Sequence, residues 1–407
     1  MTGALPSHPH VRPQAGEPAP PHRYPLLLAG SGVGLLVLVA GLFTASWLVP
    51  AGAALAALGL VAFVAAPSPI KAAGWQPPRA PRVTANRALA DAEVLAAGQL
   101  AGPEDLALTP DGGTLYATSF GDGRIVRFDL AHGGRMTEHA NTGGSPADLA
   151  LRPDGSLLVC DWSAGLLQVA PDGEVSTLLP LGTPVDGKPF VRPDGVSVAA
   201  DGTIYLSEGS DRPGCWNGVF EVLEAGAYGR VIAFDPASGR LSTVVSGLSF
   251  ANGNAIEPGG RYLVVADQYR YRIARLWLSG PDKGRVDTFA DNLPGLPHNL
   301  HFDADGLLWA GLYQGRNATL DGLSPRPRLK NLLAKLPAAA VAGPDRVRDG
   351  KPGRGAVISL DAQGNPVRYL ASPPSRVDTV SAVVRHRDRI YVSTLTGDAI
   401  LRVRLPR

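Results

Sequence analysis

The chain has 407 residues, a formal net charge of +2, 49 glycines and 37 prolines. Charged residues make up 18%, below the ~25% usual for globular proteins, while 45% are hydrophobic, too many for disorder over most of the length. This balance excludes a basic field for nucleic acid. The excess of turn formers argues against a helical bundle. The two cysteines, Cys160 and Cys215, exclude a disulfide scaffold and a Cys-based zinc site. Whether they pair is left open.

The N-terminal residues 1–23 are rich in Pro and His and read as a disordered tail. No charged residue occurs between Arg23 and Lys71. A membrane span needs about 20 apolar residues, and this run is too long for a secretory h-region. Residues 24–70 are therefore expected to form a transmembrane segment. It is either a helical hairpin turning at Pro50 or a single tilted span with an apolar extension. Cations flank both ends: Arg12 and Arg23 before it, Lys71, Arg79, Arg82 and Arg87 after it. That pattern favours a hairpin with both ends on the cytoplasmic side, but the side occupied by the rest of the chain is not fixed. Residues 71–84 contain WQPPRAP and read as an extended, Pro-stiffened linker.

From residue 85 to 407 the chain repeats. A turn followed by a β run recurs in TPDGGTLYATS, RPDGSLLVCD, AADGTIYLSE, EPGGRYLVVAD, DADGLLWAGL and HRDRIYVSTL. The turn positions are Asp111, Asp154, Asp201, Gly259, Asp305 and Asp388, spaced 43, 47, 58, 46 and 83 residues. Asp-Gly turns ahead of β-branched and aromatic runs are hairpin signals. A period of ~40–50 residues with four strands each means propeller blades. Six anchors predict an all-β, six-bladed propeller. The last gap is attributed to an insertion over about 314–355, in which 329–341 reads as a short helix and the whole as a lid or surface flap.

The innermost strand of each blade starts at the mouth of the central channel. One column of such starts holds Glu104, Ala147, Asp194, Asn252 and His298, each seven residues before its own turn residue, with Thr379 as an approximate sixth. The neighbouring column holds Asp105, Asp148, Gly195, Gly253 and Asn299. Converging carboxylate and amide oxygens make a hard-oxygen cage suited to Ca²⁺, which takes 6–8 oxygen ligands. Such an ion can polarise a carbonyl. The competing reading is local: Asp and Asn bond their own turns, and Glu104 accepts backbone donors.

At this column the sequence resembles the strictosidine synthase-like family, within a wider group that includes gluconolactonases, paraoxonases and adipocyte plasma membrane-associated protein. The most specific stretch is 250–302, beginning FANGNAIEPGGRYLVVAD. GPEDLAL, RPDGVSVAADGTIYLSEGSDR and VFEVLEAGAYGRVIAFDPASG support it. The resemblance implies a six-bladed propeller with a metal ion, usually Ca²⁺, in the central channel, and an N-terminal membrane anchor. It implies that Glu104, Asp194, Asn252 and Asn299 are the metal ligands.

Three departures from the family pattern matter. The residue before Asn299, usually an acid, is His298, which would tolerate a softer ion such as Zn²⁺ or Mn²⁺, serve as a general base, or simply pack in the wall. The position of the paraoxonases' catalytic His is Ala147, although Asp148 beside it could act as a base. The last-blade Glu of strictosidine synthases has no counterpart in TVSAVVRH (379–386), so condensation of that kind is not expected. The sequence thus predicts a membrane-anchored, metal-dependent hydrolase of small-molecule esters or lactones, with His298 or Asp148 handling the proton. The alternative is a non-catalytic binding module whose axial ion only pins the blades. Trp162, Trp216, Tyr269 and Tyr271 are candidates to line the mouth. Asn317-Ala318-Thr319 is a glycosylation sequon by pattern alone.

Overall fold

The computed structural model describes residues 48–84, 86–212, 218–337, 355–371, 377 and 379–405. Six four-stranded antiparallel sheets follow one another around a ring: blades I (103–141), II (146–180), III (193–248), IV (251–290), V (295–371) and VI (383–404). Each inner strand packs beside that of the next blade, and blade VI returns to blade I. The ring closes with an N-terminal strand, Glu93–Leu95, which pairs with Ile400–Arg404 and supplies the outer strand of blade VI. The sequence period therefore counts the blades correctly.

The turns form for the reason the sequence suggests. In the inner turns of blades I, II, III and V an Asp oxygen accepts a backbone N–H further along, as Asp111 Oδ1 does from Gly113 at 3.0 Å and Asp201 Oδ1 from Thr203 at 2.9 Å. The following Gly takes the left-handed conformation, with φ of 71° at Gly112 and 88° at Gly202.

Six apolar clusters fill the six gaps between blades. Alternate residues of one strand serve opposite gaps. Leu157 and Val159 pack toward blade I, whereas Leu158 and Cys160 pack toward blade III. Leu263 and Val265 face blade III, and Tyr262 and Val264 face blade V. Because both faces are buried, these strands read as continuous apolar runs rather than alternating ones. Cys160 is a free, buried thiol; Cys215 lies outside the described residues.

Among the described residues, four α-helices stand outside the sheets: α1 (Leu48–Ala65), α2 (Gly218–Glu224, inserted in blade III), and α3 (Ala318–Leu323) and α4 (Pro327–Leu333), both inserted in blade V. The expected helix over 329–341 is met only by the last part of α4. Among the described residues, no helix is long and apolar enough to cross a membrane. Most of the anticipated segment 24–70 precedes residue 48, and it and the tail lie outside the described residues. Pro50 stands in the first described turn of α1.

The stretch read as a linker is bound along its length. Lys71 N donates to Glu224 Oε1 at 2.8 Å and Ala72 N to Asn331 Oδ1 at 3.0 Å. Lys330 Nζ donates to Ala73 O at 2.5 Å and Arg316 to Pro78 O at 2.7 Å. The Arg270 guanidinium lies 4.7 Å from the centre of the Trp75 ring. Residues 68–79 are a strap over the inserted helices and blades IV and V.

The inner strands of blades III, IV and V approach closely at two glycines. A Cβ on Gly195 would stand 2.9 Å from Gly253 Cα, and one on Gly253 would stand 2.6 Å from Asn299 Cα. Gly322 on α3 has nothing within 4 Å of its Cβ position. Gly253→Ala is expected to destabilise by roughly 3 kcal/mol through overpacking, whereas Gly322→Ala should be neutral or stabilising by up to ~1 kcal/mol. Denaturant melts of the two variants check this.

Candidate metal centre at the channel mouth

The close approach at Gly195 and Gly253 draws the side chains at the inner-strand starts together. Glu104, Asp194, Asn252, His298 and Asn299 are all buried. Asn299 Nδ2 donates to Glu104 Oε2 at 2.8 Å and to Glu104 O at 3.3 Å, tying blade V to blade I. His298 Nδ1 stands 3.2 Å from Glu104 Oε1, without the alignment of a hydrogen bond. Asn252 Nδ2 donates to Gln268 Oε1 at 3.2 Å, and its Oδ1 accepts from Gly253 N at 2.7 Å. That last contact is the local turn bond the competing reading expects.

Two acceptors are left over. Asp194 Oδ2 and Asn299 Oδ1 are buried and make no hydrogen bond. Buried polar atoms without partners are costly, and two such oxygens beside two carboxylates fit a hard cation. The charges agree. Burial holds the Asp194 carboxyl up at about 8, with Arg192 pulling the other way. Burial raises Glu104 well above the usual range, and Asp105 and Asp194 raise it further. Among the described residues, no three His, Cys, Asp or Glu side chains group closely enough to hold a metal ion by themselves. An ion here has to draw on the amide oxygens of Asn252 and Asn299.

The two proton-handling candidates sit differently. Burial pushes His298 down to about 4, so its imidazole is neutral near pH 7, and the ring stacks on Tyr313 at 5.1 Å. Asp148 is buried behind this layer. Its carboxyl is raised well above normal by burial and by the charges of Asp105 and Glu104, and it shares a hydrogen bond with Asp105. Asp105 in turn meets His301 Nε2 at 2.8 Å and accepts Leu149 N at 3.1 Å. Burial and acidic neighbours favour the neutral form of the Asp148 carboxyl, and a neutral carboxyl has no site for a further proton.

Several residues around the mouth do not stand out in the sequence. Arg192 Nη1 bonds Glu221 Oε1 of α2 at 2.5 Å, and its guanidinium lies 5.5 Å from the Trp162 ring. The 58-residue gap after Asp201 is the available signal for that helix. The last residues of four second strands hold the mouth loops. Ser119, Asp161, Glu208 and Asp267 accept the backbone N–H of Ala101, Ser145, Arg192 and Ser249 at 2.9, 3.1, 3.2 and 2.6 Å. They fall seven or eight residues after their own turn residue, a second register that the sequence carries beside the first.

Of the aromatic candidates, Trp162 packs edge-on against Phe120 at 5.1 Å and Tyr269 against Phe250 at 5.4 Å near the mouth. Tyr271 does not line the mouth: it lies beneath the strap, 6.1 Å from Trp75 and 3.8 Å from the Arg316 guanidinium. Trp216 lies outside the described residues. Thr379 bonds Thr396 across blade VI at 2.7 Å. The Asn317 carboxamide is buried and caps α3, accepting from Thr319 N and Leu320 N at 2.9 and 3.0 Å.

Comparison with known proteins gives the family and the fold. A strictosidine synthase family model matches residues 194–281, and a model of the strictosidine synthase-like N-terminal region matches 83–128. Protein Strictosidine synthase-like 6 of Arabidopsis thaliana is 31% identical over 329 residues, covering 80% of this chain and 85% of that protein. Adipocyte plasma membrane-associated protein of Danio rerio is 32% identical, covering 73% and 74%. Among solved structures, a gluconolactonase from Xanthomonas campestris shares the fold with a TM-score of 0.54 at 18% identity, covering 84% of this chain and 99% of that one. The chain belongs to the strictosidine synthase-like family of six-bladed propellers.

Proposed function

We propose that this protein is a membrane-anchored, metal-dependent hydrolase of small-molecule esters or lactones. The observation that carries the reading is the pair of unpartnered buried oxygens, Asp194 Oδ2 and Asn299 Oδ1, set beside Glu104 at the mouth. Glu104, Asp194, Asn252 and Asn299 would hold the ion. Ca²⁺ suits their oxygen chemistry best; His298 beside them is compatible with Zn²⁺ or Mn²⁺. Such an ion supplies Lewis acidity toward a substrate carbonyl. His298, neutral and without a hydrogen bond at Nδ1, takes a proton from the attacking water, its ring held by the stack on Tyr313. Asp148, held against Asp105, is the weaker candidate for that role. The gluconolactonase neighbour and a regucalcin from Agrobacterium tumefaciens described as a calcium-binding protein, TM-score 0.50 at 17% identity, are in keeping with this chemistry. The membrane part rests on the uncharged run 24–70 and on relatives named adipocyte plasma membrane-associated protein.

The test is turnover of a panel of aryl esters and lactones by the full chain, with Ca²⁺ and with chelator. Chelator-sensitive hydrolysis is expected. Glu104→Gln should lower kcat/KM by about 100-fold through loss of the ion. His298→Ala should lower kcat by about 100-fold or more while the protein still binds Ca²⁺; unchanged turnover in that folded variant removes His298 from the mechanism.

A second reading, a binding module with a structural ion, is favoured by the Asn299–Glu104 bond that already pins blade V to blade I. Asn252→Ala separates the two. Loss of thermal stability with no turnover to lose supports the module, and loss of turnover supports the enzyme.

The ion itself is checked by pH. Asp194, held at about 8 in the folded protein against 3.8 as its ordinary value, binds its proton more tightly folded than unfolded. Its contribution to stability is complete below pH 3.8 and is lost as pH rises toward 8. His298, lowered from 6.5 to about 4, acts with the opposite sign, and only below 6.5. In chelator the melting temperature should therefore fall between pH 6.5 and 8. Glu104 and Asp148, also raised by burial, act in the same direction, so Asp194→Asn should lessen the fall and saturating Ca²⁺ should flatten it; a slope that Ca²⁺ leaves unaltered would argue against an ion at Asp194.

A further inference from the structure

The candidate centre and the apolar N-terminal helix are joined by an unbroken series of contacts. Arg192, two residues before Asp194, is paired with Glu221 on α2. One turn later on α2, the Glu224 carboxylate accepts Lys71 N at 2.8 Å and its carbonyl accepts Ala73 N at 2.9 Å. Lys71 is six residues past Ala65, the end of α1, a reach of roughly 20 Å at most. A second attachment is independent of the first. Lys335 Nζ, just after α4, donates to Phe63 O at 3.0 Å and Val64 O at 2.7 Å, a cation on the C-terminal carbonyls of α1. The end of α1 is thus fixed from both inserted segments, at the rim of the mouth.

The surface of α1 shows what can cover it. The helix carries no charged residue. Leu55, Leu58, Leu60, Val61 and Val64 are 49–65% exposed. At 100° per residue these positions point to several sides of the helix rather than along one stripe. A protein groove needs an apolar stripe, whereas a helix apolar all round suits hydrocarbon. The uncharged sequence continues N-terminally to residue 24. On the same inserted segment and strap, Lys71 and, at the start of α4 beside Gly74, Arg326 and Arg328 are exposed cations, the complement of anionic headgroups.

We propose that the mouth-bearing face of the propeller is its membrane-facing surface, held against the lipid by α1 and the strap, so that whatever enters the channel does so from the lipid–water interface. This deepens the membrane part of the function proposed above and does not depend on hydrolysis. The opposite face, formed by the Asp-Gly turns, points to bulk water.

The experiment uses the full chain bound to vesicles of phosphatidylcholine and phosphatidylglycerol. Nitroxide labels are placed at exposed positions through Leu58→Cys, Leu329→Cys, Ala200→Cys and Ala362→Cys, with Cys215→Ser as background because Cys160 is buried. Collisions with oxygen and with a water-soluble nickel chelate are read for each label. Relative to a label in bulk water, nickel collisions should fall several-fold at Leu58 and at Leu329 on α4, and stay unchanged at Ala200 and Ala362 in the turns of blades III and V. Full nickel access at Leu329, or protection at Ala200 or Ala362, on a vesicle-bound chain overturns the orientation and leaves membrane attachment standing. Dipolar broadening at Leu58 without lipid protection means that a second copy covers α1, and overturns it. A folded chain that stays off vesicles overturns both the orientation and the membrane reading, while leaving the hydrolase test untouched.

Discussion

The close approach of three inner strands at Gly195 and Gly253 is the constraint on which the rest of the mouth depends. With no Cβ at these positions, the backbones of blades III, IV and V come within van der Waals contact. Asp194, Asn252 and Asn299 stand at or next to those glycines, so the same contact that packs the strands gathers their oxygens. A larger residue at either glycine would have to separate strands that the apolar clusters between blades hold in place. Burial then follows without further design. A group gathered at the narrow end of a ring of six sheets has protein on every side but one, and carboxylates there are pushed toward their neutral forms.

The architecture was legible because it is periodic. Asp-Gly turns set the register, and each blade repeats it. The strands themselves were less legible, since residues such as Leu157–Cys160 serve a different gap on each face and show no alternation. The column of Glu104, Asp194, Asn252 and His298 followed from the same register, and the structure places all four in the mouth together with Asn299. What the register could not show were contacts that use main-chain atoms. The strap looked like a free linker because its partners are carbonyls and amides at Lys71, Ala72, Ala73, Pro78 and Arg79, which carry no side-chain signature. Tyr271 was misplaced for the same reason: a buried aromatic at a strand end reads alike whether it faces a channel or a strap. The pairing of Arg192 with Glu221 needed the fold, because the two lie 29 residues apart in different kinds of element.

Several buried carboxylates away from the centre are balanced locally. Glu208 is buried and raised, yet it accepts from Val191 N and Arg192 N and is paired with Arg230 Nε at 2.5 Å. Asp267 is paired with Arg272, and Asp105 with His301. These pairs bind a loop or a neighbouring blade, and removing one partner would leave a buried charge alone. Glu104 and Asp194 differ from them. Asn299 gives Glu104 two amide contacts and no cation, and Asp194 Oδ2 has no hydrogen bond, with Arg192, itself paired with Glu221, acting on it only through its charge.

That contrast gives His298 a physical meaning. With Asp105 matched to His301 and the Asp148 carboxyl pushed up by burial and its acidic neighbours, two carboxylates remain at the mouth, Glu104 and Asp194. Two negative charges are what one divalent ion neutralises. An acid at position 298 would add a third buried charge, which the ion could not offset and the interior would resist. A neutral imidazole keeps the sum at zero and leaves a proton acceptor 3.2 Å from Glu104. On the function proposed above, an imidazole here in place of an acid would not weaken the centre. It would exchange a ligand's charge for a base, which a Ca²⁺ site would need because Ca²⁺ acidifies water less than Zn²⁺ does.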